Sequence, residues 1–186
     1  MTPTTLSPSP IASTHAVGDR AGFDAAERAT AARRAQRGLG AASGERRSAV
    51  LLRLAALLDE RRDEILQANR EDVAEAESRH VAAPLLHRLG LSPAKLDGLK
   101  DGVLQLARLE DPVGEAIRRT ALDDGLELTQ VKSPLGVLLI IFESRPDAVI
   151  QIGSLALRSG NGVLLKGGSE AARSNRALVQ CLRDAL

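Results

Sequence analysis

The chain has 186 residues, enough for one domain of ordinary size, and 44% of them are hydrophobic. With two Phe and no Trp or Tyr, its core must be built from Leu, Ala, Val and Ile, which suits Ala-rich helices and aliphatic parallel strands better than an aromatic-rich β-sandwich. A net charge of +1 gives no field of one sign to attract nucleic acid, and a single cysteine excludes an internal disulfide framework or a cysteine-cluster zinc site.

The opening "MTPTTLSPSPIASTHAVGD" lacks a basic start followed by an apolar core, so it is no secretory signal and reads as a disordered leader over 1–22. No apolar run is long enough to span a bilayer, since the longest, Val137 to Phe142, has the length of a strand. A cytoplasmic protein is expected, with no membrane and no nucleic-acid partner.

Helices are expected over 23–124. An Ala- and Arg-rich one runs from about Phe23 to Gln36 and is interrupted by "GLGAASGE". Ser43 can cap the next, in which Val50, Leu54, Leu57, Leu58 and Ile65 recur at helical spacing while Arg46, Arg47, Arg53, Arg61 and Arg62 line the rest. These arginines admit a nucleic-acid reading, but Glu45, Asp59, Glu60, Asp63 and Glu64 interleave with them and no aromatic side chain can stack on bases. A solvated face is the favoured account. "NREDVAEAE" continues as helix. After breaks at Pro84 and Gly90, Ser92 as N-cap and Pro93 at the first helical position open another, with Leu96, Leu99, Val103 and Leu106 as its buried face. His15, His80 and His87 are not spaced as metal ligands, and no metal is expected.

The periodicity then changes. Gly125 to Lys132, "GLELTQVK", alternates as a half-exposed strand does, giving a strand segment over 125–133. "GVLLIIF", Gly136 to Phe142, is apolar throughout, as a strand buried on both faces would be. A helix begins at Pro146 and Asp147 and ends on Gly160, "GVLLK" forms a further strand, and a last helix follows Gly167-Gly168 with Ser169 as its cap. Residues 134–186 thus read as βαβα with a right-handed crossover. The fold class is α/β: a helical layer followed by the first half of an open parallel, Rossmann-like sheet.

Ligands of such sheets lie beyond the carboxyl ends of the strands, here "ESRP" and "KGGSE". At the second, Lys166 supplies a cation, Gly167 and Gly168 let a ligand approach the backbone, and the N–H groups of the last helix favour an anion or a ribose hydroxyl. An ordinary strand-turn-helix corner capped by Ser169 explains the same residues equally well. At the first, Glu143, Ser144 and Arg145 stand side by side. Arg145 can pair with a phosphate or carboxylate of a ligand, although a loop salt bridge is favoured. Cys181 lies mid-helix with no base near in sequence, which suits a buried structural cysteine better than a nucleophile.

"SPLGVLLIIFESRPDAVIQIGSLALRSGNGVLLKGGSEAARSN" resembles the γ-glutamyl phosphate reductase family of the aldehyde dehydrogenase superfamily, including the reductase half of the plant bifunctional pyrroline-carboxylate synthases. "ER…VLLRLAALLDERRDEILQANREDVAEAE" extends the likeness to about Ala25–Leu186. The resemblance implies NADPH-dependent reduction of L-glutamate 5-phosphate to the 5-semialdehyde with release of phosphate, in proline synthesis, by a homo-oligomer. It implies cofactor contacts at Lys166, Gly167, Gly168 and Ser169, with the adenosine ribose at Lys166. Ser169, where NAD-preferring relatives often carry glutamate, would spare a 2′-phosphate a repulsion. Residues 125–133 would be a strand of the oligomerisation arm, and 134–186 the first half of the NADP-binding domain. The family's catalytic cysteine lies in a later domain, beyond Leu186, so this chain by itself is expected to be inactive. The alternative is a non-catalytic nucleotide-binding or subunit-interaction fragment.

Overall fold

The computed structural model describes residues 24–186; the expected leader, His15 and the helix start at Phe23 lie outside the described residues. Helix α1 (Ala25–Ala41) is capped by Asp24, whose carboxylate accepts the Ala26 N–H at 2.8 Å. The expected interruption after Gln36 does not occur, and the helix continues through Gly38 and Gly40. Tertiary packing outweighs glycine propensity here. A Cβ on Gly40 would lie 3.2 Å from the Gln36 amide and in ordinary contact with the Gly160 carbonyl oxygen and Pro134, at 3.6 and 3.7 Å, so α1 is packed against another segment at this point.

Helices α2 (Gly44–Glu60) and α3 (Arg62–Ser78) are separated at Arg61, where the backbone turns out of helical geometry. After α4 (Ala83–Leu89), α5 (Pro93–Arg108) starts as its sequence predicts, with the Ser92 hydroxyl accepting the Lys95 N–H at 3.2 Å. Leu54, Leu57, Leu58, Ile65, Leu96, Leu99 and Val103 are all buried, as their spacing predicts. Leu51, rather than Val50, holds the fully buried place in the first turns of α2.

The expected helical layer ends early. Ala116–Asp123 is a strand, β1, paired antiparallel with β2 (Leu126–Val131) through a turn at Gly125, where φ is +74°. "AIRRTALD" alternates poorly, so its state is set by hydrogen bonds to a partner strand, with Arg119 opposite Thr129 and Thr120 opposite Leu128.

Strands β3 (Val137–Ile141) and β4 (Gly162–Lys166) pair in parallel across α6 (Asp147–Arg158), and α7 (Ala172–Ala185) follows. The βαβα order is the one the sequence predicts. Burial of β3 on both faces is not observed: Leu139 and Ile141 are 62% and 67% exposed. Side chains alternate along a strand, and only the face carrying Phe142 meets the helical core, so residues 139 and 141 fall on the bare side. Gly160 ends α6 in the left-handed region (φ +69°). Its N–H reaches the Leu157 carbonyl at 3.2 Å and the Asn161 N–H reaches Ala156 at 2.8 Å, a Schellman closure. Asn161 Oδ1 then accepts the Gly136 N–H at 2.8 Å, and Gln36 Nε2 donates to the Gly160 carbonyl at 2.9 Å, tying α1 and the start of β3 to the end of α6.

Three of the arginines expected on a solvated face are engaged instead. Arg47 is 2% exposed, chelates both oxygens of Asp111 at 2.6 and 2.7 Å, and donates to the Ala42 carbonyl. Arg61 pairs with Asp184 on α7, and Arg62 with Asp97 on α5. Each partner lies far along the chain, which is why local charge alternation suggested only solvent.

Candidate functional site

The register of the parallel pair sets Ile141 opposite Lys166, and the Phe142 N–H donates to the Lys166 carbonyl at 3.1 Å. "ESRP" and "KGGSE" therefore leave the sheet side by side at its carboxyl edge, the place where open α/β sheets receive ligands.

In the first segment, Glu143 is exposed and forms no hydrogen bond or ion pair with any described residue. Ser144 is buried and adopts φ +50°, a conformation that a non-glycine residue holds only when its surroundings demand it. Glu170 supplies the demand: its Oε1 accepts the Ser144 N–H at 2.5 Å and the hydroxyl at 3.1 Å. Arg145 makes the loop salt bridge that local spacing favours, to Asp147 at 2.9 Å, and donates from the same nitrogen to Gln151 at 3.4 Å. The Asp147 carboxylate holds the Arg145 guanidinium above its ordinary pKa, so it stays charged.

In the second segment, Lys166 is exposed and its ammonium has no hydrogen-bond or ion-pair partner among the described residues. Gly167 and Gly168 do not take positive φ. Crowding disfavours a larger residue: a Cβ on Gly167 would collide with the Asn175 amide and stand 3.2 Å from the Phe142 ring, and one on Gly168 would push the Glu170 carboxylate aside. The expected cap is absent, since Ser169 is exposed in a short 3-10 turn (Ser169–Ala171) whose start has no side-chain cap, and the residue preceding α7, Ala171, supplies none to that helix.

The N–H groups at the start of α7 are not free for a ligand. Asp72, on α3, accepts the Arg173 N–H at 3.2 Å and the Ser174 N–H at 2.8 Å, so an internal carboxylate answers the positive end of that helix. The expected anion site is thereby reduced to the Lys166–Ser169 segment. Asn69 completes the join, donating to the Leu89 carbonyl and to Ser174 Oγ and accepting the Leu91 N–H at 2.7 Å. Local patterning gave no sign of Asp72 or Asn69. Glu170 was open to notice, as a carboxylate one residue past Ser169.

Residues 4–186 match the model of the aldehyde dehydrogenase family. The chain belongs to the aldehyde dehydrogenase family. Within it, the chain is 51% identical over 147 residues to a γ-glutamyl phosphate reductase of Acetivibrio thermocellus, covering 79% of this chain and 34% of that one. It is 47% identical over 163 residues to Δ1-pyrroline-5-carboxylate synthase A of Arabidopsis thaliana, covering 88% of this chain and 23% of that one. Among solved structures, the γ-glutamyl phosphate reductase of Thermotoga maritima superposes with a TM-score of 0.82 at 41% identity, over 87% of this chain and 39% of that one. The Saccharomyces cerevisiae enzyme gives 0.83 at 39%, over 86% and 40%. The γ-glutamyl phosphate reductase resemblance of "FESRPD" and "SGNGVLLKGGSEA" thus extends over most of the chain, which corresponds to an N-terminal portion of these relatives and spans about a third of the bacterial enzyme's length.

Cys181 is poorly placed for covalent chemistry. The thiol is fully buried on α7, and burial pushes its pKa up despite the opposing influence of Arg61, so the thiolate a nucleophile needs is disfavoured. Among the described residues, no cluster of three or more His, Cys, Asp or Glu side chains is arranged to hold a metal, and no helix is long and apolar enough to cross a membrane.

Proposed function

We propose that the chain is part of an NADP-dependent reductase that converts L-glutamate 5-phosphate to L-glutamate 5-semialdehyde and phosphate in proline biosynthesis. The observation that carries this is the 51% identity over 147 residues to a γ-glutamyl phosphate reductase. The bound cofactor would supply hydride; a cysteine thiolate outside this chain would first attack the acyl carbon and release phosphate.

The residues at the sheet edge suit that cofactor. Lys166 offers an uncommitted ammonium and Ser169 an exposed hydroxyl, while the nearby Glu170 carboxylate is already bonded to Ser144. A ribose 2′-phosphate would meet the Lys166 cation, and the carboxylate of its own segment, Glu170, is engaged by Ser144, which favours NADP over NAD; the exposed Glu143 of the neighbouring segment is the one carboxylate among the described residues of this edge without a partner. Gly167 and Gly168 hold the bend between the two side chains. The β1–β2 ribbon, with segment 125–133 as its second strand, would be the oligomerisation arm of a homo-oligomeric enzyme.

By itself the chain would not reduce the acyl phosphate. The test is to mix it with NADPH and glutamyl phosphate, with and without a polypeptide carrying the rest of the γ-glutamyl phosphate reductase sequence. Turnover only in the presence of the second polypeptide is expected, and turnover by the chain alone would overturn the assignment of the thiol. A non-catalytic subunit-interaction role is the second reading, favoured by the exposed Leu135, Leu139 and Ile141, at 82%, 62% and 67%. Binding to the second polypeptide without turnover would select it.

A further inference from the structure

A cleft of about 220 Å³ opens between the turn joining α4 to α5 and the loop joining β3 to α6, lined by His87, Arg88, Gly90, Lys95, Arg145 and Asp147 among others. Its two walls are at least fifty residues apart in sequence, so only the packing of the helical layer against the sheet edge creates it. We infer that this cleft is an anion site, and that it takes the phosphoryl group of the substrate. The assignment rests on the reductase reading above for the identity of the substrate, and on the cleft itself for its chemistry.

Arg88, Lys95 and Arg145 face one carboxylate, Asp147, which leaves a local excess of two positive charges on a chain that is nearly neutral overall. A phosphoryl dianion matches that excess and brings three acceptor oxygens, whereas a carboxylate would neutralise only half of it. The donors are held in place. Lys95 Nζ donates to the Gly90 carbonyl at 2.7 Å and to the His87 carbonyl at 3.3 Å, which fixes the ammonium at the rim and leaves its third hydrogen for a ligand. Arg145 is oriented by Asp147 and Gln151 through one terminal nitrogen, so the other terminal nitrogen and Nε keep their hydrogens. Arg88, exposed in the last turn of α4, has no hydrogen-bond or ion-pair partner among the described residues. In the adjoining groove Arg70 and Glu77 offset one another and do not alter the balance. The volume is below the roughly 300 Å³ at which pockets begin to hold drug-sized ligands, and so suits a small anionic group. The cleft begins beside Ser144, at the edge of the sheet where ligands are received.

The test uses the isotopically labelled chain and amide NMR, with inorganic phosphate, acetyl phosphate and 2′-adenosine monophosphate as separate probes. Phosphate and acetyl phosphate are expected to shift the amides of 87–95 and 145–147 saturably. Arg88→Gln and Arg145→Gln should each weaken that binding about tenfold or more, while Arg53→Gln, which removes an exposed pair with Glu60, leaves it unchanged. The adenosine probe should shift 166–169 instead. Absence of saturable shifts, shifts confined to 166–169, or phosphate binding indifferent to Arg88→Gln would overturn the assignment. Cleft shifts produced by the adenosine probe would reassign the site to the cofactor. No turnover is needed, so phosphate in the cleft of a chain that never supports reduction would remove the reductase reading and leave the site, and the reverse result would remove only the site.

Discussion

Asp72 and Ser174 lie 102 positions apart and are joined through a single carboxylate oxygen, which accepts the Ser174 N–H at 2.8 Å and its hydroxyl at 2.7 Å. The bond fastens α3, in the helical layer, to the first turn of α7, the helix that follows the Lys166–Ser169 corner. The segment from Lys166 to Ser169 is thus anchored on one side by the β3–β4 pairing and on the other by a helix tied to α3.

Replacing Asp72 with Ala should be costly, because the carboxylate is 2% exposed and its loss leaves buried donors without an acceptor. A loss of about 3 kcal/mol is expected, read as a fall in the urea midpoint, with Asp72→Asn retaining part of it. A change below about 0.5 kcal/mol, the range of ordinary surface substitutions, would show that α7 does not depend on α3 for its cap.

Two glycine substitutions should differ in sign. A Cβ on Gly153 of α6 would stand 2.7 and 3.0 Å from the methyls of Leu182 on α7, so Gly153→Ala overpacks the core and is expected to cost about 1–3 kcal/mol. At Gly98 of α5 nothing lies within 4 Å of the added atom, and Gly98→Ala should gain about 0.5–1 kcal/mol of helix propensity. Thermal melts of the two variants decide it, and a stabilising Gly153→Ala would contradict the α6–α7 packing.

Stability should fall on acidification. Burial acts to raise the Asp111 pKa, but hydrogen bonds from Arg47 and the Val113 N–H more than offset it and hold the carboxyl below its ordinary range. Asp97 and Asp184 are held low mainly by hydrogen bonds from Arg62 and Arg61, and Glu75 by one from Arg173. Carboxylates depressed in the folded state contribute stability above their unfolded pKa, about 4, and lose it as pH drops through the folded values. Urea midpoints should thus decline from about pH 4 downward. Arg47→Met should flatten that acid limb, and an unchanged limb would separate Asp111 from the effect.

The Cys181 thiol should be silent to Ellman's reagent in the native chain and react at the rate of global unfolding, since it is fully buried and its thiolate is disfavoured. Fast stoichiometric labelling at neutral pH would restore it as a candidate nucleophile.

Ser169→Glu should shift preference from NADPH toward NADH in the reconstituted enzyme, by placing beside Lys166 a carboxylate that repels the 2′-phosphate. Ratios of kcat/KM for the two cofactors check this, and an unchanged ratio would detach Ser169 from cofactor choice.

Much of the fold was legible because it is written in short-range chemistry. Ser92-Pro93 announced α5, Gly160 announced the end of α6, and the aliphatic runs "VLLII" and "GVLLK" announced a parallel pair whose ends mark the site. β1 was not legible, because "AIRRTALD" has no pattern of its own and becomes a strand only against β2. Nor was the burial of Arg47, whose charge is matched by Asp111, 64 residues away.

The sequence alone determined most of the helices, the parallel strand pair, the α/β class, the two strand ends and the family, since helix caps, side-chain periodicity and specific motifs act within a few residues of one another. Tertiary structure decided which polar groups remain available for chemistry. Asp72 occupies the α7 start that a ligand was expected to meet, Glu170 closes on Ser144, and Arg88 and Lys95 come to share a cleft with Arg145. A hydrogen bond or ion pair formed across a hundred residues costs the local sequence nothing and leaves no trace in its pattern, so only the packed chain shows which charges are spent and which are left.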